Sequence, residues 1–333
     1  MIPRERVLAS LSRESVDRPP VTCMTTSVTV DQEEAIGVYW PEAHTDPVRM
    51  SRLAMAAYKV VGFESVRIPF CLTVEAEIMG CNVDLGRKDR TPMVKSHPFG
   101  MGDTLSIPER MGGRAAVTVE ATRLLRAEVG NQLPVITLAV GPFTIAGHLV
   151  GTENLLLWTL LEREEARRFI RFTTELSGIY LTELDEAGAD IILLSDPSAS
   201  ADMISPDTFE ELSLPATRGC LASVRKAMTV LHICGDTTAL LDHMIATGVD
   251  ALSIEEKVDP YRAVEIVNGR AALVGNIGVV KPLLVGSHRE IVEATRRVIE
   301  AGFQVINPGC GLAPGIPLEN LQAMVLTVKG SYR

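Results

Sequence analysis

A single (β/α)8 TIM barrel, an α/β fold, is what this sequence predicts, on three observations. Short β-branched apolar runs recur eight times along the 333 residues, and segments of helical periodicity separate them. Several runs are apolar on both faces, as parallel strands are when helices cover one side and a packed interior the other. No linker composition, internal repeat or low-complexity block divides the chain, so 1–333 reads as one domain.

The elements follow in order. Pro3-Arg4-Glu5-Arg6 opens a charged amphipathic stretch, read as an N-terminal helical extension. The strands are expected at 21–26, 65–70, 135–140, 190–196, 228–234, 251–256, 271–277 and 303–309. Between them, 46–61 begins with Asp46 as a helix cap and Pro47 at the first helical position. A long helix is expected over 162–187, and Ser205-Pro206 starts another with the same cap logic. The outer helices 238–247, 260–268, 287–301 and 317–328 complete the pattern. The connection 71–134 is too long for a simple crossover. Its Gly80, Gly86, Pro92, Pro98 and Gly100, with a β-rich patch at 115–120, predict an excursion near the top face.

Composition narrows the function. With 46% hydrophobic and 22% charged residues the chain is an ordinary globular one. Lys+Arg of 32 against Asp+Glu of 42 give a net charge of −10, which argues against nucleic acid as a partner, since phosphate binding needs concentrated positive charge. No apolar run is long enough to span a membrane, and the N-terminus lacks the apolar block of a secretion signal. The six cysteines are scattered through a large chain. Reduced thiols and a cytoplasmic location are expected, not a disulfide framework.

Two strand ends carry the chemistry. His232-Ile233-Cys234-Gly235 closes one apolar run and Asn307-Pro308-Gly309-Cys310-Gly311 another. Residues two apart in an extended segment share a face, so His232 and Cys234 point the same way. Strand C-termini converge over the mouth of a barrel, which would bring Cys310 to them. One imidazole and two thiols make a three-ligand Zn²⁺ site with an open fourth position. Buried core side chains are the plain alternative for each residue alone, as they are for Cys23 and Cys220. Other polar groups lie at strand exits: Ser195, Asp196 and Ser200, then Glu255 and Glu256, then Asn276. Each equally fits a capping role. Asp236, next to the His-x-Cys-Gly run, is placed to orient the imidazole or balance the metal charge. Cys71 reads as a pocket wall.

Together these motifs resemble the uroporphyrinogen decarboxylase superfamily, and within it the zinc-dependent methylcobamide:coenzyme M methyltransferases. The resemblance runs along almost the whole chain. It rests on Pro3-Arg4-Glu5-Arg6 with Asp17-Arg18-Pro19, Tyr39-Trp40-Pro41-Glu42-Ala43-His44, Asp196-Pro197-Ser198-Ala199-Ser200, His232-Ile233-Cys234-Gly235, Val274-Gly275-Asn276, and Asn307-Pro308-Gly309-Cys310-Gly311 followed by Pro314. It implies that His232, Cys234 and Cys310 bind zinc at the mouth of the barrel. It implies a methylcorrinoid donor carried by a separate corrinoid protein, and a small thiol acceptor such as coenzyme M. Asp236, Glu255 and Asn276 would orient ligands or manage the thiol proton. Asp196, Ser200 and Arg67 are candidates for cofactor or substrate contact, with Lys257 a second cation for a sulfonate. A decarboxylase of the same fold, which needs no metal, and a methyltransferase with another acceptor are the alternatives. The lower-ligand corrinoid pattern Asp-x-His-x-x-Gly is absent from the chain, against a corrinoid-carrying role.

Overall fold

The computed structural model describes residues 1–26 and 28–330. Its strands are β1 (Val66–Ile68), β2 (Val83–Asp84), β3 (Met93–Val94), β4 (Val135–Val140), β5 (Ile191–Ser195), β6 (Met228–Ile233), β7 (Ala251–Ile254), β8 (Ala272–Ile277) and β9 (Val305–Pro308). Seven of them form one parallel sheet in the order β1-β4-β5-β6-β7-β8-β9, while β2 and β3 pair antiparallel apart from it. The strands of this sheet are buried almost throughout, which is why they read as continuous apolar runs. Register places Val140 beside Ser195, Ser195 beside His232, and His232 beside Ser253, so these four side chains share one face.

The expected closed eight-stranded barrel is not formed. The run 21–26 contributes a single bridge, Val21 opposite Ile306 of β9, and the sheet is a curled, open half-barrel of seven strands. The local chemistry explains the loss. Thr22 N donates to Ile306 O at 2.9 Å and Glu64 N to Val21 O at 2.8 Å, so the segment lies in the gap between the two edges. Pro19 and Pro20 have no N–H to extend either ladder. Beyond Thr22 the backbone turns to a side chain, with Met24 N donating to Asn307 Oδ1 at 2.8 Å.

The gap is tied from below by charge. Arg6, in the helix Pro3–Leu11, and Arg18 both donate to the Glu64 carboxylate, at 2.5 and 2.7 Å. The same carboxylate accepts Val21 N at 3.0 Å. The N-terminal extension thus pins the bridge segment to the start of β1.

Most expected helices are present, with shifted ends. Asp46 Oδ1 accepts Val48 N and Arg49 N to cap Pro47–Ala54, and Arg163–Glu186 is the long helix. Within 71–134, the patch 115–120 is no strand: it lies inside the helix Gly113–Val129. Its buried Ala115, Thr118, Val119, Thr122 and Leu125 recur at helical spacing, and that burial outweighs the β-branched local preference. Among the described residues no helix is long and apolar enough to cross a membrane.

Candidate metal centre

His232 is the penultimate residue of β6 and is 2% exposed. Ile233 turns to the opposite face and Cys234 returns to that of His232. The chain then bends at Gly235, whose φ of 85° is a conformation L side chains rarely adopt. A Cβ there would also lie 2.5 Å from Asp202 Oδ2. Across the sheet, β9 ends at Pro308, and Gly309 passes so close to the β7 exit that a Cβ would sit 2.9 Å from Glu256 N. That close passage lets Cys310 reach the imidazole. Thr25 Oγ1 holds the Cys310 carbonyl at 2.7 Å.

The three ligand atoms converge. Cys234 Sγ is 3.3 Å from His232 Nε2 and 3.5 Å from Cys310 Sγ, and all three atoms lie within 4.8 Å of one another. The imidazole is buried and both thiols are partly exposed, so the centre has a protein side and an open side. The sulfurs polarise each other. The hydrogen bond from Cys234, with a further contribution from His232, draws Cys310 down, while the same contact and burial push Cys234 up. A cation that binds both sulfurs must displace any proton they hold.

Sequence reasoning missed the partner of the imidazole. His232 Nδ1 lies 3.0 Å from Ser253 Oγ and 3.2 Å from Ser253 O. With Nδ1 committed to Ser253, the Nε2 lone pair faces the sulfurs, as a ligand histidine requires. The register of His232 with Ser253 creates the contact. Its only trace in the sequence is one Ser inside the apolar run Ala251-Leu252-Ser253-Ile254.

The remaining candidates are placed as follows. Asp236 is exposed and its Oδ1 accepts Thr238 N and Oγ1 at 3.0 and 2.6 Å, so the imidazole is oriented by Ser253 and not by this carboxylate. Glu255 Oε2 accepts Gly235 N, which brings a carboxylate against the ligand loop. Asn276 Nδ2 donates to the carbonyls of Glu255 and Val258 at 3.1 and 2.8 Å and fixes the loop that carries Glu255. Asp196 Oδ1 accepts Thr144 N and Oγ1 at 2.7 and 2.6 Å, and burial pushes the carboxyl up to about 6. Ser200 is buried close to Gly235. Lys257 is exposed and paired with Asp202 at 3.4 Å. Arg67 is wholly buried in β1.

Fold and centre together define a parallel α/β protein with a three-donor, soft-ligand centre at its strand C-termini. The chain belongs to the uroporphyrinogen decarboxylase (URO-D) family, whose profile matches residues 2–331. It is 38% identical over 326 residues to the methylcobamide:CoM methyltransferase MtaA of Methanosarcina barkeri, covering 97% of this chain and 96% of that protein. It is 36% identical to the methylcobamide:CoM methyltransferase MtbA of Methanosarcina acetivorans, over 98% and 97% of the two chains. A solved methyltransferase from Methanosarcina mazei superposes with a TM-score of 0.96 at 37% identity, covering 100% of both chains.

Proposed function

We propose that this protein is a zinc-dependent methyltransferase that moves a methyl group from a methylcorrinoid to a small thiol, coenzyme M being the foremost acceptor. One observation carries the reading: an imidazole nitrogen and two thiol sulfurs lie within 4.8 Å of one another, and no fourth side chain joins the group among the described residues. The donor set fits Zn²⁺, which favours sulfur and imidazole in a tetrahedron and keeps a position open where it is catalytic. Full-length similarity to methylcobamide:CoM methyltransferases supports the same conclusion.

His232, Cys234 and Cys310 would hold the metal. When bound, zinc lowers the pKa of an incoming thiol and presents its sulfur as a thiolate near neutral pH. Ser253 keeps the imidazole in the tautomer that leaves Nε2 free. Glu255, bonded to the ligand loop at Gly235 N, would take the proton that the thiol releases, and Asn276 holds its backbone through the Glu255 carbonyl. The thiolate then attacks the methyl carbon of methyl-cob(III)amide. The S–C bond forms and the Co–C bond breaks, both electrons of that bond stay on cobalt as cob(I)amide, and the thioether leaves. A near in-line approach requires the corrinoid face, carried by a separate corrinoid protein, to meet the half-exposed side of the centre.

Metal analysis coupled to a methylcobalamin assay over a panel of thiols tests the reading. Stoichiometric zinc and thiol-dependent loss of the methyl-Co(III) absorbance, both abolished by Cys310→Ala, are expected. Full turnover in zinc-free protein would refute it. A decarboxylase acting on a tetrapyrrole would have no use for three soft donors, and its activity would survive the same substitution.

A further inference from the structure

Of the six cysteines, Cys23, Cys71, Cys81 and Cys220 are buried, whereas Cys234 and Cys310 are partly exposed. Each buried sulfur is engaged by a group other than a thiol. Cys23 Sγ donates to Thr26 O at 3.6 Å, Cys81 Sγ to His148 O at 3.4 Å and Cys220 Sγ to Thr217 O at 3.2 Å. Cys71 Sγ accepts Arg114 Nη1 at 3.2 Å. Cys234 Sγ and Cys310 Sγ instead face each other at 3.5 Å, where the centre is open. Accessible thiols with a second thiol beside them are the ones that oxidation selects.

The spacing lies between two bonded states. Two sulfurs on one tetrahedral zinc, each about 2.3 Å from the ion, sit about 3.8 Å apart, whereas a disulfide brings them to about 2.0 Å. Neither cysteine is held in a strand ladder, since β6 ends at Ile233 and β9 at Pro308. Gly235 follows the first, and Gly309 and Gly311 flank the second. Thr25 Oγ1 anchors the Cys310 carbonyl and leaves its side chain free to turn. Rotation of the two side chains, with the sheet in place, is the motion that closes the gap. The same sulfur electrons serve the metal or the S–S bond, so the two states exclude each other.

We propose that Cys234 and Cys310 form a reversible disulfide in the metal-free protein, with a small organic disulfide as oxidant, so that the centre is gated by the redox state of the thiol pool. One cysteine, as its thiolate, attacks a sulfur of the small disulfide, whose S–S bond breaks; a mixed disulfide forms and one small thiolate leaves. The second cysteine then attacks the protein sulfur of that mixed disulfide. The Cys234–Cys310 bond forms, the second small thiolate leaves, and the two cysteine protons end on the two small thiols. Two electrons have passed from the cysteine pair to the small disulfide, and excess thiol runs the same steps backwards. The bond itself does not depend on methyl transfer. Its regulatory meaning rests on the thiol-methyltransferase reading above: two of the three zinc donors are withdrawn when the acceptor pool is oxidised and returned when thiol is plentiful.

The test needs neither metal nor turnover. Zinc-free, full-length protein is incubated with 2-hydroxyethyl disulfide, denatured and alkylated, and its free thiols are counted by mass. The count should fall from six to four, with peptide mapping placing the link between Cys234 and Cys310. Excess 2-mercaptoethanol should restore all six thiols and, with them, zinc uptake. Zinc-loaded protein should react at least ~10-fold more slowly, since its thiolates are committed to the ion. Cys220→Ser, which removes a buried thiol, should still lose two thiols. Cys310→Ser should instead stop at the mixed disulfide on Cys234. The wild-type count decides even if a variant fails to fold. Six free thiols after oxidation, a link between any other two cysteines, or mixed disulfides on Cys234 and Cys310 with no bond between them overturns the proposal. Methyl transfer by a protein that forms no such link sinks the gate alone. The link in a protein that methylates no thiol leaves the disulfide standing and sinks the methyltransferase reading instead.

Discussion

Cys234 and Cys310 stand 76 residues apart in the chain, and their sulfurs are 3.5 Å apart in the fold. Neither strand tip makes a centre alone. Cys310→Ala should therefore abolish stoichiometric zinc, weakening binding by more than the ~10–100-fold typical of losing a group behind a ligand. Far-ultraviolet circular dichroism should not change, since Cys310 is partly exposed beyond the end of β9. Metal content by mass spectrometry checks the first point, and a Cys310→Ala protein that keeps its zinc would contradict it.

Ser253 acts on the centre through His232. Removing its hydroxyl with Ser253→Ala leaves the backbone carbonyl, 3.2 Å from Nδ1, as the sole partner. Zinc affinity should fall by ~10-fold, the low end for such a partner. Competition with a chromophoric chelator measures it, and Ser253→Thr, which keeps the hydroxyl, should restore most of the loss.

Glu64 joins Arg6, Arg18 and the backbone of Val21, and is 2% exposed. Glu64→Ala leaves two guanidinium groups without their shared carboxylate and unties the bridge segment from β1. A loss of about 3–5 kcal/mol is expected, from the cost of breaking a buried pair on one side. Urea titration checks this, and Arg18→Ala, at a more exposed position, should cost less.

The molecule should be sensitive to mild acid through His44. Its ring is buried, stacked on Trp40 at 5.2 Å, and neither nitrogen has a partner. Burial, with a smaller contribution from Arg114, lowers it to about 3. The unfolded chain takes up a proton near pH 6.5 that the native state refuses, so stability declines as pH falls from about 6.5 toward 3. The slope approaches ~1.4 kcal/mol per pH unit for one such group. His44→Phe should flatten the dependence of urea midpoints between pH 7 and 5, and an unchanged slope would remove His44 as its source.

The sequence was most legible where one physical constraint acts at short range. His232 and Cys234 share a face because the segment is extended, and the Gly after each strand end is demanded by a turn or a close passage. It was less legible where the outcome depends on a distant partner. The run 21–26 has strand-like side chains, but Pro19 and Pro20 withhold donors and the side chains of Glu64 and Asn307 take up its backbone. The patch 115–120 has β-branched residues, but its burial follows a helix. Ser253 is invisible as chemistry until register sets it against an imidazole. Asp236 shows the converse. Adjacency in the chain suggested a role at the imidazole, and the local turn claimed its carboxylate for Thr238.

X-ray absorption at the zinc edge, before and after adding 2-mercaptoethanesulfonate, tests the central claim most directly. The geometry of His232, Cys234 and Cys310 predicts two sulfur neighbours in the resting protein and three once the thiol is present, with the proton released in parallel. A sulfur count that stays at two while methylcobalamin is still consumed would contradict the account.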